Sequence, residues 1–181
     1  MAVKPIVAYG CEILRTKCKD AVPGPETDSC IQDLKDSIPG KGLGLAAPQI
    51  NVALNIFIIR TTSLIVLINP RIVKARRETF ERNEGCLSIP GIFKAFNHRA
   101  KCVEIEYLDE KFIPQKIKLL KLNAVVAQHE CDHLEGKNFI DYMKESELKE
   151  IAPALAKIEA GEVDVDYDML LKDGTIKKSV K

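Results

Sequence analysis

The stretch that most limits what this chain can become is Gln128-His129-Glu130-Cys131-Asp132-His133-Leu134-Glu135-Gly136, an H-E-x-x-H segment holding two of the three histidines in the sequence. Histidines four residues apart share a face on an α-helix, about 40° apart around its axis. There His129 and His133 can present ring nitrogens to one metal ion, and Glu130 can reach a water beside that ion as general base. Leu119, Leu122, Val125 and Val126 supply an apolar stripe leading into the segment. Gly136 fits the left-handed position that ends a helix. The same pattern also fits a core helix whose histidines merely pack, so the rest of the chain has to decide.

A chain of 181 residues fits one domain with a substantial core. Lys plus Arg number 27 against 26 for Asp plus Glu, without the basic excess of nucleic-acid binders, so no direct nucleic-acid contact is expected. The apolar runs Ile56-Phe57-Ile58-Ile59 and Leu64-Ile65-Val66-Leu67-Ile68 are split by Arg60-Thr61-Thr62-Ser63, and no membrane span is expected. The first residues carry no apolar signal-peptide core, which predicts a cytoplasmic protein, or an organellar one if a transit peptide has been removed. The six cysteines are therefore expected as free thiols, at least one of them available to a metal.

Residues 1–20 read as an irregular start. Thr27 or Asp28 is predicted to cap a helix running to about Ser37, with Ile31, Leu34 and Ile38 on one face, ended by Pro39-Gly40. Residues 54–60 and 64–69 read as strands, Asn69-Pro70 as a turn, and 71–80 as more of the sheet. In 101–108, Val103, Ile105 and Tyr107 share one face and Glu104 and Glu106 the other, a half-buried strand. Residues 112–119 return as a strand with Pro114 at an edge or bulge. Residues 141–158 read as helical, with Pro153 at a first turn or a break. The expected architecture is α+β, with antiparallel or mixed sheets packed around a central HExxH helix and an additional C-terminal helix. One catalytic domain is expected over 1–160, followed by a charged tail, 161–181, of uncertain structure with a Lys-rich end.

The third metal ligand decides the class of hydrolase. A metzincin would place a histidine at position 139, where this chain has Phe139. Glu147, Glu150 and Glu159 are downstream carboxylates with no special spacing, and His98 is the remaining histidine. Cys86 lies in Glu84-Gly85-Cys86-Leu87-Ser88-Ile89-Pro90-Gly91, a segment bounded by glycine and proline that can hold a thiolate in place. Gly42-Leu43-Gly44-Leu45-Ala46-Ala47-Pro48-Gln49 allows close backbone approach and ends in a polar amide. Cys131 lies off the histidine face and reads as packing.

These three segments, in this order and over roughly residues 5–143, resemble the motifs of the peptide deformylases, in the type 1 form with E-G-C-L-S. The resemblance implies metal ligation by Cys86, His129 and His133, and Glu130 as general acid/base. It assigns oxyanion stabilisation to the Gln49 side chain and the Leu87 backbone N–H. It implies one divalent metal, typically Fe2+, in a site that Zn2+, Ni2+ or Co2+ can also occupy. The implied reaction is hydrolysis of the N-formyl group from formylmethionyl nascent peptides, releasing formate, and the implied larger partner is the ribosome near its exit tunnel. Leu43, Leu122, Val125 and Val126 match the lining of the methionine pocket. Gly44 and Ile89 match positions that pair with an extended substrate, and Arg99 falls near a basic position close to it. Two departures stand out: the chain is short between Pro25 and Gly42, and a glycine frequent before the motif helix is Lys121 here.

Overall fold

The computed structural model describes residues 3–76 and 78–180. Five strands form one antiparallel sheet in the order β2 (Gly44–Ala46), β3 (Ile56–Arg60), β4 (Leu64–Ala75), β7 (Cys102–Leu108) and β8 (Pro114–Leu120). The reason β3 reads as an unbroken apolar run is that both its faces are covered. Ile56 and Ile58 pack with Leu34 of helix α1 (Pro25–Ser37), whereas Phe57 and Ile59 pack with Ala124 and Ala127 of helix α2 (Lys121–Leu134). The HExxH helix thus lies across one face of the sheet, touching β2, β3, β7 and β8.

The β5 (Arg82–Cys86) and β6 (Ile89–Phe96) strands form a separate hairpin, closed by the two-residue turn Leu87-Ser88. A third helix, α3 (Glu145–Glu159), packs on β6. The α+β architecture around a central HExxH helix is therefore as the sequence predicts. Among the described residues no helix is long and apolar enough to cross a membrane.

Several local expectations change. Helix α1 starts at Pro25, earlier than Thr27, because proline already holds the backbone angle of a first helical residue. The Thr27 hydroxyl instead donates to Val22 O at 2.7 Å. Asn69-Pro70 is a bulge inside β4, not a turn. Asn69 takes φ 51°, and its side chain accepts from Ala21 N at 2.8 Å and donates to Ala21 O at 2.9 Å. The strand ends at Ala75, with an isolated bridge from Thr79 to Ala100, and Arg77 lies outside the described residues. Pro153 sits inside α3, at neither a first turn nor a break, with both Pro153 and Lys149, one turn earlier, on exposed positions.

The ends of the chain meet. Strand β1 (Ile6–Val7) pairs in parallel with β9 (Met169–Leu170), and β10 (Ile176–Lys177) adds an antiparallel strand to β9. Met169 is fully buried beside Ile89, Phe139 and Ile158. The charged stretch after residue 160 thus contributes apolar side chains to a shared core.

Candidate active site

Helix α2 brings its functional side chains to one face. Leu122, Val125, Val126, His129 and Glu130 line a cleft of about 760 Å³, with His133 one turn further into the protein. The opposite wall is the β5–β6 hairpin, which ends in Cys86 and Leu87. The third side is Leu43 together with Gly44, the first residue of edge strand β2.

Cys86, His129 and His133 offer ligand atoms that all lie within 4.8 Å of one another. The Cys86 Sγ is 3.2 Å from His133 Nε2. His129 Nδ1 is 3.2 Å from Glu84 Oε2, which leaves Nε2 to face the thiolate side. Phe139, where a metzincin would place its last histidine, instead stacks on the His129 ring at 6.0 Å between centroids. His98 stacks on Tyr142 at 4.3 Å, apart from this cluster.

Electrostatics at the cluster ask for a cation. Burial opposes protonation of His129, but Cys86 and Glu84 outweigh it and raise its pKa well above the ordinary range. Burial, together with the charge on His129, presses His133 well below its ordinary value. Cys86 and the buried Glu84 carboxylate thus favour positive charge beside them. A divalent cation bound by one sulfur and two imidazole nitrogens meets that demand, and the donor set suits iron, zinc, nickel or cobalt.

Glu130 is 4 % exposed, and its Oε2 is buried with no hydrogen-bond partner among the described residues. Burial raises its pKa to about 7. The carboxyl is packed against Gly44 so closely that a Cβ at position 44 would collide with it. Glycine here serves close approach, as the Gly-rich segment predicts.

Gln49 is buried in the short turn Ala47–Ile50. Its Oε1 accepts from Ala46 N at 2.9 Å, which fixes the amide orientation. Nε2 then points at Cys86 Sγ, 3.5 Å away, and Ser88 Oγ, 3.4 Å away. A fixed amide donor therefore sits at the ligand cluster.

Leu43, Gly44, Leu122, Val125 and Val126 all line the cleft. Two residues named by the sequence resemblance do not. Ile89 is fully buried in the core behind the hairpin, beside Phe96 and Phe139. Arg99 is neither a solvated charge nor a lining residue. It is 4 % exposed, binds Glu84 through Nε and Nη2 at 2.9 Å each, and binds Asp132 through Nη1 at 2.6 Å. The chain uses that charge in a buried network behind the candidate ligand His129.

Sequence reasoning passed over Glu84 and Tyr167. Glu84 lies two residues before Cys86, and a carboxylate close to a candidate ligand was a signal available in the sequence. Tyr167, whose O–H donates to Leu87 O at 2.7 Å, had no such signal, because its contact spans 80 positions.

Residues 3–149 match the family model described as polypeptide deformylase. The chain is 32 % identical to a peptide deformylase of Salinibacter ruber, over 94 % of this chain and 96 % of that one. It is 40 % identical to one of Nitrosococcus oceani, over 78 % and 87 % of the two chains. Among solved structures, a peptide deformylase from Legionella pneumophila superposes with a TM-score of 0.82 at 32 % identity, covering 89 % of this chain and 98 % of that one. The peptide deformylase from Thermus thermophilus gives 0.82 at 30 % identity, covering 88 % and 99 %.

Proposed function

The chain belongs to the polypeptide deformylase family, metal-dependent hydrolases that remove the N-formyl group from nascent peptides, and from that premise we propose which of its residues carry the reaction. Cys86, His129 and His133 hold the metal, with Fe2+ as the native ion. Glu130 is the general acid/base, and Gln49 and the Leu87 N–H are the oxyanion donors. The observation that carries this assignment is the meeting, at one cleft, of three ligand atoms within 4.8 Å, a buried unpartnered carboxylate and an oriented amide.

When bound, the metal supplies Lewis acidity, which makes a water acidic enough to attack at neutral pH. Glu130 takes the proton that the attacking water gives up. A buried carboxyl with a raised pKa then delivers that proton to the amine nitrogen as the formyl C–N bond breaks. Negative charge grows on the formyl oxygen during attack. Gln49 Nε2, held by Ala46, and the Leu87 N–H donate to it, so they stabilise the transition state more than the substrate.

Leu43, Leu122, Val125 and Val126 form the apolar recess for the methionine side chain. Gly44, on the free edge of β2, pairs with the extended peptide backbone. Neither Ile89 nor Arg99 is given a substrate contact. The proposed larger partner is the ribosome near its exit tunnel, because the substrate is a nascent chain. The proposed compartment is where such chains emerge, the cytoplasm or an organelle.

Anaerobic release of formate from formyl-Met-Ala-Ser, with metal analysis of the same sample, tests the assignment. Glu130→Gln should retain metal and lose turnover. Wild-type turnover in that variant, or cleavage of acetyl-Met-Ala-Ser in preference to the formyl peptide, refutes it.

A further inference from the structure

The C-terminal segment reaches the active site. Asp164, Asp166, Tyr167 and Val180 line the same cleft as Cys86 and Glu130. Their position is fixed from both sides. Ile6 N donates to Asp168 O and Ala8 N to Leu170 O, each at 2.8 Å, which ties the segment to β1. Val180 N donates to Val165 O at 2.9 Å and closes the loop.

Tyr167 makes one polar contact with the catalytic hairpin, and it is to the Leu87 carbonyl at 2.7 Å. That carbonyl lies at the centre of the two-residue turn Leu87-Ser88. The Leu87 N–H belongs to the preceding Cys86–Leu87 peptide, so what the tether holds is the place of residue 87 at the turn tip: without it the two-residue tip can shift about the ends of β5 and β6 and carry that N–H with it. The residues around it are already tied. Ser88 O accepts from Tyr9 N at 2.8 Å, and Ser88 Oγ and Cys86 Sγ both face Gln49 Nε2. The Leu87 carbonyl is held by one distant side chain, that of Tyr167.

We propose that Tyr167 is a positioning residue for deformylation: its O–H, by holding the Leu87 carbonyl, keeps the turn in the one arrangement that aims the Leu87 N–H at the reacting formyl group. This rests on the reading of Leu87 as an oxyanion donor. A donor misaimed by a flexing turn serves the transition state less well while leaving substrate binding in the apolar recess intact. The segment after residue 160 is then part of the active site.

Tyr167→Phe removes the O–H and keeps the ring; Tyr167→Leu removes both. The expected result is a kcat on formyl-Met-Ala-Ser lowered about tenfold in both variants. KM should stay within about twofold, metal content and unfolding midpoint should hold in Tyr167→Phe, and formyl-Met amide should suffer the same loss as the tripeptide. In the zinc form of Tyr167→Phe, the Leu87 and Ser88 amides should show microsecond-to-millisecond exchange that the wild type lacks. A Phe variant with wild-type kcat and quiet amides overturns the proposal, whatever the Leu variant does. So does a rise in KM alone, or a loss confined to the tripeptide, either of which assigns Tyr167 to peptide binding. Glu130→Gln run in parallel separates the two levels. If it turns over normally the whole site reading fails, whereas if it is dead and Tyr167→Phe is normal only this inference does.

Discussion

His129 Nδ1 lies 3.2 Å from Glu84 Oε2, and the same carboxylate is gripped at both oxygens by Arg99. The His129 ring is thus turned one way, with Nδ1–H donating to Glu84 and Nε2 facing Cys86, as the proposed metal ligation requires. Arg99 is itself held by Asp132 at 2.6 Å, and Tyr142 covers the guanidinium at 5.0 Å from the ring centroid. Asp132 sits between His129 and His133 in sequence, so helix α2 carries both proposed ligands and one anchor of the network behind them.

Glu84→Gln keeps the shape of the side chain but halves its capacity to accept and removes its charge. His129 loses a charged partner, and Arg99 keeps only Asp132 to balance its buried charge. Metal affinity should fall by about 10–100-fold. Competition with a chromophoric chelator for zinc measures it, and an unchanged dissociation constant would show that Glu84 does not orient His129.

The same network makes stability depend on acid. Burial alone would raise the pKa of Glu84, but hydrogen bonds from His129 and Arg99 and the Arg99 charge overcome it and hold the group at about 2. A carboxyl depressed in the folded state stabilises fully above its ordinary pKa, near 4.5, and loses that contribution as pH falls toward 2. Between about pH 5 and pH 3 the loss from this group should be roughly 2 kcal/mol. Urea unfolding of the metal-free protein at the two pH values should show that difference in the wild type. Glu84→Gln should be less stable at the higher pH and should lose less between the two. Parallel slopes in the two proteins would rule out Glu84 as the acid-sensitive group.

Gly44 tests close approach. Its backbone does not use the left-handed region, so alanine there meets no conformational penalty. The added methyl instead meets the Glu130 carboxylate. Gly44→Ala should reduce kcat by at least about tenfold, because Glu130 must turn away from the reacting atoms. Folding stability should change by less than about 1 kcal/mol. Loss of stability with full activity would mean that the carboxylate has room to move.

How much of this was legible follows from the range of each interaction. The HExxH helix declares itself through i, i+3 and i+4 spacing, and β3 through an apolar run that two covered faces require. The three-part site follows from short motifs that resemble a family. The β5–β6 hairpin escapes because its strand Arg82-Asn83-Glu84-Gly85-Cys86 is largely polar. Its one buried acid is balanced by Arg99, 15 positions on, and no local pattern predicts that pairing. The placement of Arg99 behind His129 rather than beside the substrate escapes for the same reason. Met169 and Tyr167 lie in a charged stretch, and only the parallel pairing with β1, more than 160 residues earlier, makes their burial intelligible.

Lys121 marks the place where strand β8, ending at Leu120, passes into helix α2 with no linking residue. The chain reverses there through a left-handed backbone, φ 50° at Lys121, while Lys121 N donates to Lys101 O at 2.8 Å. A side chain in that conformation costs about 1–2 kcal/mol, which accounts physically for glycine being frequent at this position in the family that the sequence resembles. Replacing the exposed Lys121 by glycine should relieve that cost, offset by about 0.5–1 kcal/mol for the greater freedom of glycine in the unfolded chain. Lys121→Gly should therefore stabilise the protein by about 0.5–1 kcal/mol, with kcat unchanged because His129 lies two turns further along the helix. Lys121→Val, whose branched side chain tolerates positive φ least, should destabilise by more than about 1 kcal/mol. Urea unfolding of the three proteins gives the order Gly, Lys, Val; a valine variant as stable as the glycine variant would mean that the turn into α2 relaxes out of the left-handed region.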